Sequence, residues 1–192
     1  MLNHKGLLKR FSPCHEAFDW YDGKDSEEAW QECKHGDWML WVAAKLNVDH
    51  RLIVLAACDC AEMTLHHVPK DETRPAEAIA TARKWCDGKA SIEEAQKAAD
   101  AAGAAATAYA AYAAYAADAA ASAAAGCGMA AATAADAADA YAAANTANTA
   151  SADKAREESL ARSAEIVRQR ISWSIVEEAI AKFSQQGAND VE

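Results

Sequence analysis

The sequence has no excess of basic charge: 19 Lys and Arg stand against 29 Asp and Glu, giving a formal net charge of -10 and a pI near 5.0. Nucleic acid and anionic membranes both require a basic face, so neither is expected as the main partner, and a basic protein suits the chain better. Long apolar runs are missing as well. Residues 1–11 carry Lys5, Lys9 and Arg10 among isolated apolar residues, which does not build a signal peptide. The long alanine stretch is only weakly apolar and is interrupted by Asp100, Asp118, Asp136 and Asp139, so no membrane span is expected and the chain reads as cytoplasmic. The sequence also lacks a phosphate-cradling glycine loop, a nucleophile elbow and a metalloprotease helix signature. Cys14-His15 and Cys33-x-His35 pair a thiol with a base, but no third orienting group or oxyanion-type turn accompanies them. No catalytic residue and no cofactor is expected.

At 192 residues the chain fits a single helical domain, 1–192, long enough to bury a core. Its composition breaks near Gly88. Residues 1–90 hold five of the six tryptophans and all the histidines and prolines, whereas 35 of the 58 residues over 95–152 are alanine. The expected fold is all-α: a bundle of short helices over 1–90, followed over 91–184 by two or three long, closely packed alanine-rich helices. Alanine has the best helix propensity but little apolar surface, so such helices must approach closely and gain from backbone-level contact. That packing also leaves a homo-oligomer open. Cys14, Cys33, Cys58, Cys60, Cys86 and Cys127 read as reduced thiols.

Local signals place the helices. Ser12-Pro13 starts one that carries Phe18, Trp20 and Tyr21, and Asp25 with Glu28 caps a second through Trp30 and Cys33 to His35. Asp37 stands where an N-cap belongs for a third over 38–46, whose Trp38, Trp41 and Val42 form a bulky face expected in the core. Asp49 opens a fourth helix that closes before Pro69, and Arg74-Pro75 opens a fifth that Gly88 ends. Ser91 with Glu94 makes the clearest capping box, starting a helix over 91–125. Gly126-Cys127-Gly128 breaks it, a further helix covers 129–144, a polar turn covers 145–149, and a last helix runs over 151–183.

Cys58, Glu62 and His66 follow at i+4 steps, yet Cys58 and Cys60 splay their thiols about 200° apart on a helix, which argues against a metal site. Glu62, on an otherwise apolar helix, calls for a cation, with Arg74 or Arg168 as candidates; such a cluster also makes a polar pocket for a small ligand or a toxin side chain. Asp37 and the neighbouring Trp38 and Trp41 complete the candidate partner-binding residues. Asp118, Asp136 and Asp139 form an acidic patch.

Ser12-Pro13-Cys14, Glu28-Ala29-Trp30-Gln31-Glu32-Cys33, Gly36-Asp37-Trp38-Met39-Leu40-Trp41, Ala56-Ala57-Cys58-Asp59-Cys60-Ala61-Glu62, and Arg74-Pro75 with Trp85 together resemble the Imm-5-like immunity proteins of bacteria and phages. The resemblance is specific in the first half and compositional in the second, with Gly-Asp-Trp-x-Leu-Trp as its most specific part. It implies an all-α, non-catalytic inhibitor that neutralises a toxin or effector by protein–protein binding, in a bacterial cell or a phage-infected host cell. Relatives carried by phages imply an alternative, an anti-defence protein that sequesters a signalling nucleotide or blocks a host defence enzyme. A nucleotide would need a local cluster of arginines for its phosphates, which only Arg51, Arg74, Arg83, Arg156, Arg162, Arg168 and Arg170 offer.

Overall fold

A computed structural model describes residues 8–109 and 149–189, and among these it is all-α with no strand. After a helical end at residues 8–10, eight helices follow in order: α1 (His15–Tyr21), α2 (Ser26–Glu32), α3 (Gly36–Lys45), α4 (His50–Glu62), α5 (Arg74–Cys86), α6 (Ile92–Tyr109), α7 (Thr149–Arg170) and α8 (Trp173–Asn189), with a 3-10 turn at Leu65–His67. The expected break at Gly126-Cys127-Gly128, the helix over 129–144 and the patch of Asp118, Asp136 and Asp139 lie outside the described residues. So does the expected turn over 145–149 apart from Thr149, which opens α7.

The caps explain where most helices start and stop. Asp25 accepts from the Glu28 amide at 2.8 Å and Asp49 from the Arg51 amide at 2.9 Å, each satisfying one of the free donors at a helix start. The Ser91 capping box is reciprocal, with Ser91 Oγ accepting from the Glu94 amide and the Glu94 carboxylate accepting from the Ser91 amide. Helices α3 and α5 both end in a Schellman motif. Asn47 and Gly88 adopt the left-handed conformation, and the next amides, of Val48 and Lys89, reach back to the Ala43 and Lys84 carbonyls.

Helix α4 is the central strut, contacted by α3, α5 and α7. Ile53, Val54, Ala56, Ala57, Cys58, Cys60 and Ala61 are all buried on it, so it is apolar around most of its circumference, as a helix enclosed by neighbours must be. Helix α6 lies on α5 with Ala95, Ala99 and Ala102 fully buried at i, i+4 and i+7, the small-residue approach that the composition requires.

Three expectations about helix boundaries need correction, the first being α2, which ends at Glu32 rather than at His35. The last helix is not continuous: α7 ends at Arg170, and the Ser172 carbonyl accepts from the Ile175 and Val176 amides to begin α8. Neither Gly nor Pro marks this break. The turn leaves Ile171 fully buried while α8 folds onto α2. Asp37 is also not an N-cap, because α3 starts one residue before it at Gly36, with His35 as the cap. Among the described residues no helix is long and apolar enough to cross a membrane.

Candidate functional site

Helix α3 has two faces of opposite character. Met39, Leu40 and Ala43 are buried against α4 and α7. At its first residue the approach to α7 is so close that a Cβ on Gly36 would fall 2.6 Å from Ser163 Cβ and 2.7 Å from the Ser163 carbonyl carbon. Ser163 satisfies its own hydroxyl within α7 by donating to the Ser159 carbonyl, and Cys60 of α4 directs its thiol at the Ser163 carbonyl. Gly36, Cys60, Ser163 and Ala164 therefore form a seam where three helices meet through small side chains.

Among the described residues the opposite face of α3 is only partly covered. Trp38, Trp41 and Val42, expected in the core, are only half-buried and line a cavity of about 380 Å³. The physical reason is that α3 has one core-facing stripe, which Met39, Leu40 and Ala43 fill. Five of the six tryptophans line the cavity: Trp20, Trp30, Trp38, Trp41 and Trp173. Phe11 packs edge-on against Trp41 and Phe183, and His35 stacks on Trp38 at 3.7 Å between ring centroids. Lys24 Nζ lies 5.4 Å from the Trp20 ring centroid and Lys45 Nζ 5.8 Å from that of Trp41, so two of these indoles already act as platforms for cations.

Two polar atoms of residues that line the cleft are buried without a hydrogen-bond partner: the indole nitrogen of Trp30, a residue only 5% exposed, and Oδ1 of Asp37. Both residues line the same cleft. The nearest basic group to Asp37 Oδ1 is His35 Nδ1, at 3.7 Å. A buried donor or acceptor left unmade costs about 1–3 kcal/mol, so two in one cleft call for an explanation.

Arg168 holds this arrangement in place. From α7 its guanidinium donates to the Cys33 carbonyl at 2.8 Å and the Trp30 carbonyl at 3.4 Å, the free end of α2, and approaches Met39 Sδ at 3.9 Å. A cation at a helix C-terminus satisfies carbonyls that have no intrahelical donor. The Cys33 thiol beside it is pushed up to about 11, chiefly by burial, with Asp37 adding to the rise and Arg168 opposing it. Cys58, fully buried, is pushed up to about 12, again chiefly by burial. Both thiols are protonated and unreactive at neutral pH.

The other two candidates lie elsewhere. Glu62 is exposed, not buried, and its cation is Arg83 rather than Arg74 or Arg168. Arg83 also binds Asp59 at 2.7 Å, and Asp59 binds Arg170 Nε at 2.6 Å, so the network ties α4 to α5 and α7. Arg74 folds back onto Glu72 through Nε and Nη2, a two-point grip. Glu62 and Arg74 are thus held in separate ion pairs, and the cleft described above stands at Asp37, Trp38 and Trp41. Sequence reasoning missed Trp30, Trp20 and Trp173 as its walls. Among the described residues no three His, Cys, Asp or Glu side chains gather as metal ligands, and Cys14, Cys33, Cys58, Cys60 and Cys86 are free thiols.

The family model described as "Imm-5 like putative immunity protein" matches residues 45–173. The match contains Ala56-Ala57-Cys58-Asp59-Cys60-Ala61-Glu62, Arg74-Pro75, Trp85 and the alanine-rich stretch. It begins after Gly-Asp-Trp-x-Leu-Trp, so that motif lies outside the matched residues. Of the residues lining the cleft, only Leu46 and Trp173 fall inside it. No curated protein and no solved structure matches the chain.

Proposed function

The chain belongs to the Imm-5-like immunity protein family, and from that premise we propose that it is a non-catalytic cytoplasmic inhibitor that neutralises a basic toxin or effector by direct binding. The family match over two thirds of the chain carries this reading. A formal net charge of -10 supports the choice of a basic partner, since complementary charge speeds encounter and suppresses wrong partners. A preformed cleft lined by tryptophan supplies the kind of aromatic anchor that concentrates binding energy at interfaces.

The alternative, sequestration of a signalling nucleotide, is not favoured by the side chains available. The cations beside the cleft lie against its rings, Lys24 on Trp20 and Lys45 on Trp41, and Lys24 also pairs with Glu32. Arg74, Arg83, Arg168 and Arg170 are each committed to an internal partner. Co-expression of the chain with toxin genes found beside its own gene tests the proposal. Growth is expected to be restored by the cognate pair alone, and loss of protection should follow when charge on the toxin's basic face is reversed. Killing undiminished by the chain for every neighbouring toxin would remove this reading.

A further inference from the structure

We propose that the cleft between α1, α2, α3 and α8 is a receptor for an arginine side chain presented by the partner protein. This rests on the reading of a basic partner and names the group that it inserts.

Three properties of the cleft select that chemistry. Its walls are indoles, and a planar guanidinium stacks on aromatic faces in a way that a compact ammonium does not. Lys24 on Trp20 and Lys45 on Trp41 show cations already held by the same rings. Asp37 lines the cleft with a carboxylate that is 20% exposed and whose buried Oδ1 accepts no hydrogen bond, in a chain of net charge -10. Trp30 Nε1–H is the third property, because a cation alone cannot satisfy it: the occupant must also carry an acceptor. An arginine in a polypeptide carries both, with guanidinium donors for Asp37 and a backbone carbonyl for the indole N–H. A cavity of about 380 Å³ lies within the usual range for sites that hold a group of this size. Arg168 is a positioning residue here. It touches the Trp30 and Cys33 carbonyls and Met39 and so fixes the end of α2 that presents the indole.

The test uses N-acetyl-arginine methylamide as the probe, with the neutral citrulline analogue as its control. The readout is the set of indole N–H resonances of the full chain. Trp30→Phe assigns one of them by its disappearance. Addition of the arginine probe is expected to move the Trp30 resonance downfield as it gains an acceptor. The citrulline probe and Asp37→Asn should each weaken binding by about tenfold or more, the scale of one lost charge-assisted hydrogen bond. An unmoved Trp30 resonance up to the solubility of the probe overturns the proposal, as does equal binding of the arginine and citrulline probes. Tighter binding of N-acetyl-tryptophan methylamide than of the arginine probe would overturn it too, in favour of an apolar aromatic occupant. If Asp37→Asn does not fold, the citrulline comparison on the unmodified chain decides alone. Toxin protection in co-expression is scored separately, so a cleft that ignores arginine while the chain still protects removes this inference and leaves the function standing.

Discussion

Helix α3 faces a closed seam on one side and an open cleft on the other, and the two are built on opposite principles. The seam at Gly36, Cys60, Ser163 and Ala164 uses the smallest side chains so that backbones meet, and Ser163 and Cys60 there direct their polar atoms at backbone carbonyls. The cleft uses the largest side chains in the chain, does not fill the space between them, and leaves Trp30 Nε1 and Asp37 Oδ1 unbonded. A region that serves stability alone has no reason to keep such costs, so the difference separates what holds the fold from what meets a partner.

The sharpest way to break this division is Gly36→Ala. Its new Cβ would meet Ser163 backbone as well as side chain, neither of which can swing aside, so α3 and α7 must separate. A loss of about 3 kcal/mol is expected by urea unfolding, with little change in probe affinity per folded molecule. Arg168→Met comes next, at about 2 kcal/mol, because it strips two carbonyls at the end of α2 of their donor. This change should weaken binding as well, since Arg168 fixes the end of α2 that lines the cleft.

Alkaline pH gives a smaller, graded effect. Cys33 and Cys58 ordinarily titrate near 9.0 and are raised in the fold to about 11 and about 12. Below 9.0 the thiols are protonated in both states and their contribution is fully present. As pH climbs from 9 towards 11–12 only the unfolded chain ionises, so unfolding is favoured and stability falls. Urea midpoints at pH 7, 9 and 10.5 should drop across the last interval beyond any fall between the first two. Asp37→Asn has the smallest effect on stability, within about 0.5 kcal/mol, yet should be among the most damaging to arginine binding. A large stability loss there would erase the contrast between seam and cleft.

Much of the fold could be read because its signals are local. The Ser91–Glu94 box, the Asp49 cap, Pro75 at a helix start and Gly88 at a helix end each act within a few residues of themselves. What could not be read depends on how helices cross. Trp38, Trp41 and Val42 have the spacing of a core stripe, but Met39, Leu40 and Ala43 have it equally, and only contact with α4 and α7 decides between them. Glu62 pairs with Arg83 because α5 lies beside α4, a neighbour that spacing does not reveal. The α7–α8 break at Ser172 has no Gly or Pro to announce it. Trp30 offered an ordinary buried tryptophan in sequence, and its missing partner exists only once α1, α2, α3 and α8 enclose it.

Stoichiometry of inhibition tests the central claim most directly, because a binder acts by occupancy and an enzyme by turnover. With the toxin encoded beside the gene, toxin activity should fall linearly with added chain and vanish at equimolar ratio. Activity should return when high salt separates the two. Complete inactivation at a small fraction of one equivalent, persisting after the chain is removed, would contradict inhibition by direct binding.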